Sequence, residues 1–318
     1  MILRHFIVLG LAAAALAAGP ASAQQVQNEN FTVFFTGDVQ GEVKSCGCPK
    51  LDLGGATRRE AFLDTLRSVG WTFLTVDAGG LTPFGEMNAQ KRLKIEHLAR
   101  AMARMQIDAV GLGDWDLAQG REFVRSLIGW LEQPAVATNV AFPAGIDTRE
   151  TVRLTIRGKD VAVVGFLDPD LVTEAHDWIT VTPWGDHRPL LQSLRGEVDL
   201  IVALAGVADS SRMVALAETL PEIDLAIGSH RADLPANLST VGTTHIVGGG
   251  GEGKYLGRAE IVFDENDAVT DVQSTFLQVV KEWGRRRYID EVVTDYNRAV
   301  RDLMLSGADD DQGALNEP

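Results

Sequence analysis

The amino-acid sequence predicts an α/β fold carrying a largely parallel sheet, on three observations. Short apolar runs rich in Val, Ile, Leu and Phe recur through the chain. Stretches of helical periodicity lie between them, and most of the runs stop at Gly, Asp, Asn or Ser. Continuous apolar runs fit strands buried on both faces, and regular strand–helix alternation fits parallel crossovers.

In chain order the runs are FTVFFTG (31–37), TFLTVD (72–77), DAVGLG (108–113), PAVATN (134–139), DVAVVGFLD (160–168), VDLIVAL (198–204) and IDLAIGS (223–229). The helical stretches are ATRREAFLDTLRSV, NAQKRLKIEHLARAMARM, QGREFVRSLIGWLEQ and SSRMVALAETL. Four further segments, TVRLTIRG, TTHIVGG, GRAEIVFD and VTDVQSTFLQVV, alternate apolar with polar residues. They predict additional antiparallel or edge strands covering a second sheet. From Lys281 to Leu305 a helical pattern puts Ile289, Val292, Val293, Tyr296, Val300 and Leu303 on one stripe.

The two ends of the chain read differently. Residues 1–23 combine Arg4, an apolar stretch from Phe6 to Ala18 and an Ala21-Ser22-Ala23 cleavage pattern, which is a secretory signal peptide. The apolar stretch is too short for a spanning helix, and no later segment approaches the roughly 18 apolar residues one needs. An exported, periplasmic protein without membrane insertion is expected. One domain is expected over 24–280, followed by a helix over 281–305 packed on it and a frayed acidic tail over 306–318. The formal charge of −15 argues against nucleic acid and anionic lipid as partners.

In open α/β sheets ligands gather at the carboxyl ends of strands, so the residues after each run are the candidates for chemistry. Those ends read Gly37-Asp38-Val39-Gln40-Gly41, Asp77-Ala78-Gly79-Gly80, Gly113-Asp114-Trp115-Asp116, Ala137-Thr138-Asn139-Val140, Ala205-Gly206 and Gly228-Ser229-His230-Arg231-Ala232. With Gly54-Gly55-Ala56-Thr57-Arg58-Arg59 and Lys254-Tyr255-Leu256-Gly257-Arg258, this series resembles the metallophosphoesterase (calcineurin-like) superfamily, specifically the N-terminal domain of periplasmic 5′-nucleotidases. The resemblance runs from about Phe31 to Asp264. It implies a four-layered α/β/β/α sandwich, in which two metal ions at the strand ends activate a hydroxide against a phosphate ester.

The same resemblance exposes departures. Where the family has Asp-x-His, Asp38 is kept but Gln40 replaces the histidine. Where an aspartate should bridge the two ions, Gly80 stands. In place of Gly-Asn-His-Glu, Asp114 can serve as an oxygen ligand, but Trp115 occupies the catalytic histidine position. The strand ending at Ala205-Gly206 offers no histidine, and the final motif keeps His230 with Ala232 at its second position. Asp38, Asp114 and His230 remain as metal ligands, with Gln40 and Asp116 as weak helpers. Three residues cannot hold two ions, though they could hold one.

Asp77 and Asp116 have a second reading as turn or helix caps, and His230 as an ordinary hydrogen-bonded histidine. His97, His176, His187 and His245 lack ligand spacing and are assigned no chemistry. The GGGGEG run before Lys254 reads as a hairpin turn, because no helix follows to make it an anion site. The 5′-nucleotidases also carry a C-terminal domain that stacks the nucleobase. The present chain stops after its terminal helix, so adenosine monophosphate is not expected as a dedicated substrate.

Cys46 and Cys48, separated by Gly47, are the chain's two cysteines. On an extended strand their Cα atoms would lie about 6.4 Å or more apart, at the edge of disulfide reach, but Gly47 can bend the backbone inward. Three uses stay open: a local disulfide pinning the loop, a redox-active or partner-linking pair, and joint thiolate capture of a soft ion such as Cu(I) or zinc. Cys-Gly-Cys followed by Gly-Gly-x-x-Arg-Arg resembles a subgroup of this superfamily found beside exported multihaem cytochromes, which implies an exported redox protein as partner.

Together these readings predict a metallophosphoesterase-fold protein whose dinuclear site is largely degenerate, acting as a binding or redox-linked accessory module. The alternative is a metal-dependent phosphoesterase with a reduced, mononuclear site holding one divalent ion such as manganese or zinc.

Overall fold

The structure is a computed structural model and describes residues 30–229 and 239–306. The predicted signal peptide, His230, Ala232 and nearly all of the predicted tail lie outside the described residues.

The chain opens with β1 (Phe31–Thr36), α1 (Ala56–Ser68), β2 (Leu74–Asp77), α2 (Ala89–Ala103), β3 (Ala109–Gly111), α3 (Asp114–Leu117), α4 (Arg121–Leu131) and β4 (Ala135–Val136). Next come β5 (Val140–Ala141), β6 (Thr151–Ile156), β7 (Lys159–Leu167), β8 (Thr180–Val181), α5 (Arg188–Arg195), β9 (Leu200–Gly206), α6 (Ser210–Thr219) and β10 (Leu225–Ser229). Last are β11 (Ser239–Val241), β12 (Thr244–Gly248), β13 (Tyr255–Phe263), β14 (Val269–Gln278) and α7 (Arg287–Ser306).

Two six-stranded sheets form from the described residues, in the orders β14-β13-β1-β2-β3-β4 and β11-β12-β10-β9-β7-β6. Within the first, β1 to β4 run parallel, and within the second β7, β9, β10 and β12 do. Side chains alternate across each strand, so every central strand feeds two cores. Val33 and Phe35 of β1, Val161 and Val163 of β7, and Leu200, Val202 and Leu204 of β9 meet between the sheets. Phe34 points the other way, onto Leu63 and Phe73. Ala162, Val164, Ile201 and Ala203 face Leu191, Leu194, Met213 and Leu216 of α5 and α6. Helices α2, α4 and α7 cover the first sheet's outer face through Leu98, Met102, Leu127 and Ile289. Helix, sheet, sheet, helix is the four-layered order expected.

The sheets touch closely at one point. A Cβ added to Gly165 of β7 would lie 2.2 Å from the Val136 carbonyl oxygen of β4, so any side chain there would push the layers apart.

Several expectations need correcting. The segment TTHIVGG gives β12, which pairs parallel with β10, because β11 takes the antiparallel edge outside it. Strands β13 and β14 do not cover a second sheet. They extend the first, antiparallel on the free side of β1. The glycine run before Lys254 is no hairpin turn, since it crosses from β12 in one sheet to β13 in the other. Helix α5 has no counterpart among the helical stretches of the sequence. The terminal helix starts at Arg287, after a 3-10 turn at Lys281–Trp283 and Gly284 at φ 82°. Ile289, Val292, Val293 and Tyr296 are its buried residues, as the stripe predicts. No helix among the described residues is long and apolar enough to cross a membrane.

Candidate functional site

The carboxyl ends of both sheets converge. A Cβ added to Gly37, just past β1, would meet Ala78 Cβ at 3.2 Å, Gly249 Cα at 3.3 Å and Ser229 Cβ at 3.4 Å. One added to Gly206, at the end of β9, would meet Gly113 Cα at 3.5 Å. Small residues at these positions let the ends of β1, β2, β3, β9, β10 and β12 close on a single region. The sequence-predicted residues of the first sheet all fall there.

Asp38 and Gln40 both adopt left-handed backbone, each at φ 53°. Their amides bond to the Gly79 carbonyl at 2.7 Å and the Gly80 carbonyl at 3.0 Å, which ties the turn after β1 to the turn after β2. Gln40 Nε2 donates to Asp38 Oδ2 at 3.0 Å, so its amide is spent on the neighbouring carboxylate.

Gly80 sits between the two retained aspartates. Its φ is 72°, and a Cβ added to it would lie 3.0 Å from Asp38 Cα and 3.2 Å from both Asp38 N and Oδ1. On the other side, Gly80 N would lie 2.9 Å from a Cβ at Gly113, the residue before Asp114. The backbone packs tightly around Gly80. A side chain there would need both a strained backbone and displacement of Asp38.

Asp116 is wholly buried, and its carboxylate is used up. Oδ2 accepts from Gly113 N at 2.9 Å, Gly80 N at 3.0 Å and Leu81 N at 3.4 Å, and Oδ1 accepts from Thr82 N at 2.8 Å. Its geometry therefore fits the capping reading, not that of a metal helper. Asp77, also fully buried, takes Thr36 Oγ1 at 2.5 Å and Gly79 N at 2.9 Å, again as a turn cap. Burial pushes the pKa of both carboxyls up.

Trp115 lies in the same turn, after Asp114. Its ring centroid lies 4.4 Å from that of Phe84, which is 57% exposed on the rim. His176, assigned no chemistry from sequence, reaches this turn. Its Nε2 donates to the Asp114 carbonyl at 3.0 Å while Nδ1 accepts from Thr173 N at 3.1 Å. It positions the backbone that carries Asp114, and only folding brings it there, 62 residues along the chain.

The described residues at the strand ends offer few free ligands for a pair of metal ions. Gly80 lacks a side chain, β9 ends in Ala205 and Gly206 without an imidazole, and Asp116 is bonded to four backbone amides. Among the described residues no group of three or more His, Cys, Asp or Glu side chains could hold an ion.

Beside this cleft lies the loop with the two cysteines. Both thiols are exposed, and no bond joins them. Cys46 N donates to Leu53 O at 2.9 Å, Gly47 N to Asp52 Oδ1 at 2.8 Å, and Ser45 Oγ to Asp52 Oδ2 at 3.2 Å. Arg58 of α1 clasps Asp52 from beyond, through its carbonyl at 2.7 Å and its carboxylate at 2.5 Å. Arg58 and the Gly47 and Ser45 donors hold the Asp52 carboxyl below the usual range. Cys48 N donates to Cys46 Sγ at 3.4 Å. Cys46 Sγ itself donates to the Leu51 carbonyl at 3.5 Å and lies 4.0 Å from Asp52 Oδ1. The neighbouring Cys48 side chain and amide hold the Cys46 thiol below its ordinary range, and the neighbouring Cys46 pushes the Cys48 thiol above its own. The crossover from β12 packs against this loop: Glu252 N donates to Asp38 O at 2.8 Å, and a Cβ at Gly54 would meet Gly253 O at 3.2 Å.

No protein-family model matches the chain. Of the solved structures, a 5′-nucleotidase precursor from Thermus thermophilus superposes with a TM-score of 0.73 at 19% identity, over 86% of this chain and 60% of that one. The chain has the metallophosphoesterase fold.

Two further solved structures resemble it. The sulfate thiohydrolase SoxB of Thermus thermophilus gives a TM-score of 0.71 at 18% identity, over 86% of this chain and 61% of that one. The calcineurin-like phosphoesterase YfkN of Bacillus subtilis gives 0.65 at 16%, over 85% and 97%. Among curated proteins, the uncharacterized metallophosphoesterase YunD of Bacillus subtilis (strain 168) is 24% identical over 188 residues, which span 57% of this chain and 40% of that protein. The metallophosphoesterase-fold chain thus spans about 40% of the curated relative and about 60% of the first two structures named.

Proposed function

We propose that this metallophosphoesterase-fold protein does not hydrolyse phosphate esters through a two-metal centre, and that it serves instead as an exported binding or redox-linked accessory module. One observation carries the reading: the Gly80 backbone lies against Asp38 where the bridging carboxylate would have to stand. Without a shared anionic ligand, two divalent cations repel one another across a few ångströms, and neither can replace its lost hydration. Trp115 adds to this, because an indole N–H cannot shuttle a proton to a leaving group. The partner proposed is another exported protein, of redox function, and the compartment the periplasm.

The test is hydrolysis of a generic phosphodiester and a generic phosphomonoester by the purified full chain with added manganese or zinc. No turnover above the metal-only blank is expected. Robust turnover that disappears in Asp38→Ala would overturn the proposal.

A second reading is favoured by the retention of Asp38 and Asp114 on either side of Gly80. Those carboxylates, with His230, would hold one divalent ion. Dialysed protein then carries about one ion per chain, lost in Asp38→Ala; metal content far below that removes this reading.

A further inference from the structure

The loop from Ser45 to Gly54 is built in a way that the cleft does not require. Its backbone is held at both ends, by the Ser45–Gly54 bridge and by Arg58 clamped on Asp52, while both sulfurs remain in solvent. Asp52 is occupied by Arg58, Ser45 and Gly47, so it is not available as a third ligand that would turn the pair into a metal site. Gly47, at φ 68°, folds the tripeptide back on itself, which points Cys48 N–H at the Cys46 sulfur. The two sulfurs are therefore inequivalent: the Cys48 amide points at Cys46 Sγ, which also reaches the Leu51 carbonyl and Asp52. The Lys254 ammonium, paired with Glu252, adds positive charge beside both. Leu51, half exposed, offers an apolar contact next to Cys46, whose Sγ lies 3.5 Å from the Leu51 carbonyl oxygen.

We propose that Cys46 and Cys48 form a thiol–disulfide exchange centre, with Cys46 as the attacking sulfur and Cys48 as the resolving one, acting on a disulfide carried by another molecule. This deepens the redox-linked part of the function proposed above. In the forward step the Cys46 thiolate attacks one sulfur of R–S–S–R, forming a Cys46–S–S–R bond and expelling one RS⁻. Cys48, passing its proton to that leaving thiolate, then attacks the Cys46 sulfur and expels the second RS⁻, which takes up the proton Cys46 had lost to solvent. Two electrons pass from the dithiol to the external disulfide, leaving an internal Cys46–Cys48 disulfide and two RSH. The reverse sequence oxidises an external dithiol. The Cys48 amide aimed at Cys46 favours it as thiolate, and a sulfur held beside it favours rapid ring closure over a lasting mixed disulfide.

The test uses the reduced full chain, mixed in separate arms with oxidised glutathione and with a small disulfide-bonded protein, and read by intact mass and thiol alkylation. The wild type should lose both thiols as an internal disulfide in at least one arm, and the faster arm identifies the source of the disulfide. Cys48→Ser should accumulate a mixed disulfide on Cys46, and Cys46→Ser should react about tenfold more slowly or less. Gly47→Ala has open space around the new methyl but a left-handed backbone. It should fold normally and retain the mixed disulfide longer than the wild type. Equal rates for the two single Cys variants, or a wild type that keeps both thiols in both arms, would overturn the proposal. Phosphodiester hydrolysis measured on the Cys46→Ser, Cys48→Ser double variant separates the two claims. Turnover there refutes the reading of the cleft and leaves the exchange result standing, whereas absent exchange without turnover refutes only the thiol centre.

Discussion

At the strand ends, carboxylates are consumed by the backbone: Asp116 receives the amides of Gly80, Leu81, Thr82 and Gly113, and Asp77 a hydroxyl and an amide. In the adjoining cysteine loop the relation is reversed. There the backbone and Asp52 hold a turn in place with two thiols exposed and the Cys48 amide aimed at one of them. A polar group bonded on all sides contributes to stability and can do little chemistry, while one presented by a fixed turn to solvent can react. The difference teaches that neighbouring turns of one fold can treat polar groups in opposite ways, enclosing carboxylates at the cleft and leaving thiols open to solvent in the loop beside it.

The largest expected effect comes from the cleft. Asp116→Asn would set an amide N–H₂ against backbone N–H donors that now share a carboxylate. Stability should fall by about 2–3 kcal/mol in urea unfolding, the cost of leaving buried amides without acceptors. Disulfide exchange by the folded protein should not change. A neutral effect on stability would break the view that this carboxylate is an internal acceptor.

Next in size, Gly80→Asp restores the family's residue type on a backbone that resists it. A loss of about 2 kcal/mol is expected from the left-handed conformation and the push on Asp38, with no gain of phosphodiesterase activity. Manganese-dependent turnover in this variant would show that one missing side chain alone separates the cleft from catalysis.

Gly47→Ala probes the other region and should cost about 1 kcal/mol by thermal unfolding, from backbone conformation alone. A larger loss would mean that the turn supports the fold and not the sulfurs.

The smallest effect is a pH dependence. Asp108 accepts Thr75 N at 2.7 Å, and burial raises its carboxyl pKa. A raised folded-state pKa means the folded protein binds the proton more tightly than the unfolded chain does. The resulting stability is present below the ordinary carboxyl pKa of about 4 and is lost as pH rises above it. Asp108→Asn lacks that loss. Its stability relative to wild type should therefore climb with pH from about 4 upward, by a few tenths of a kcal/mol per unit and never more than about 1.4. A difference that stays flat or falls with pH would contradict the assignment.

Much of this was legible in the sequence. Each apolar run became a strand within a few residues of its predicted place, because residues buried on both faces leave an unbroken apolar signature. Gly80 and Trp115 could be singled out because a motif fixes their register, and no structure is needed to see that glycine has no side chain. The sequence could not say that a Cβ at Gly80 would collide with Asp38, nor that Asp116 would be saturated, since both facts depend on turns from different strands meeting. The crossover at 249–254 reads as a hairpin from sequence because local glycine content does not reveal which sheet the next strand joins. Helix α5 leaves too short a signal, eight residues beginning Arg-Pro. The Arg58 clasp on Asp52 and the hydrogen bond from His176 to the Asp114 carbonyl are tertiary contacts that carry no periodic signal.

The absence of a paired-cation centre is tested most directly by titrating the full chain with manganese and recording stoichiometry with the electron paramagnetic resonance spectrum. At most one ion per chain, with the spectrum of an isolated ion, is the predicted result. Two ions bound per chain, with the spin-coupled signal of neighbours about 3.5–4 Å apart, would contradict it.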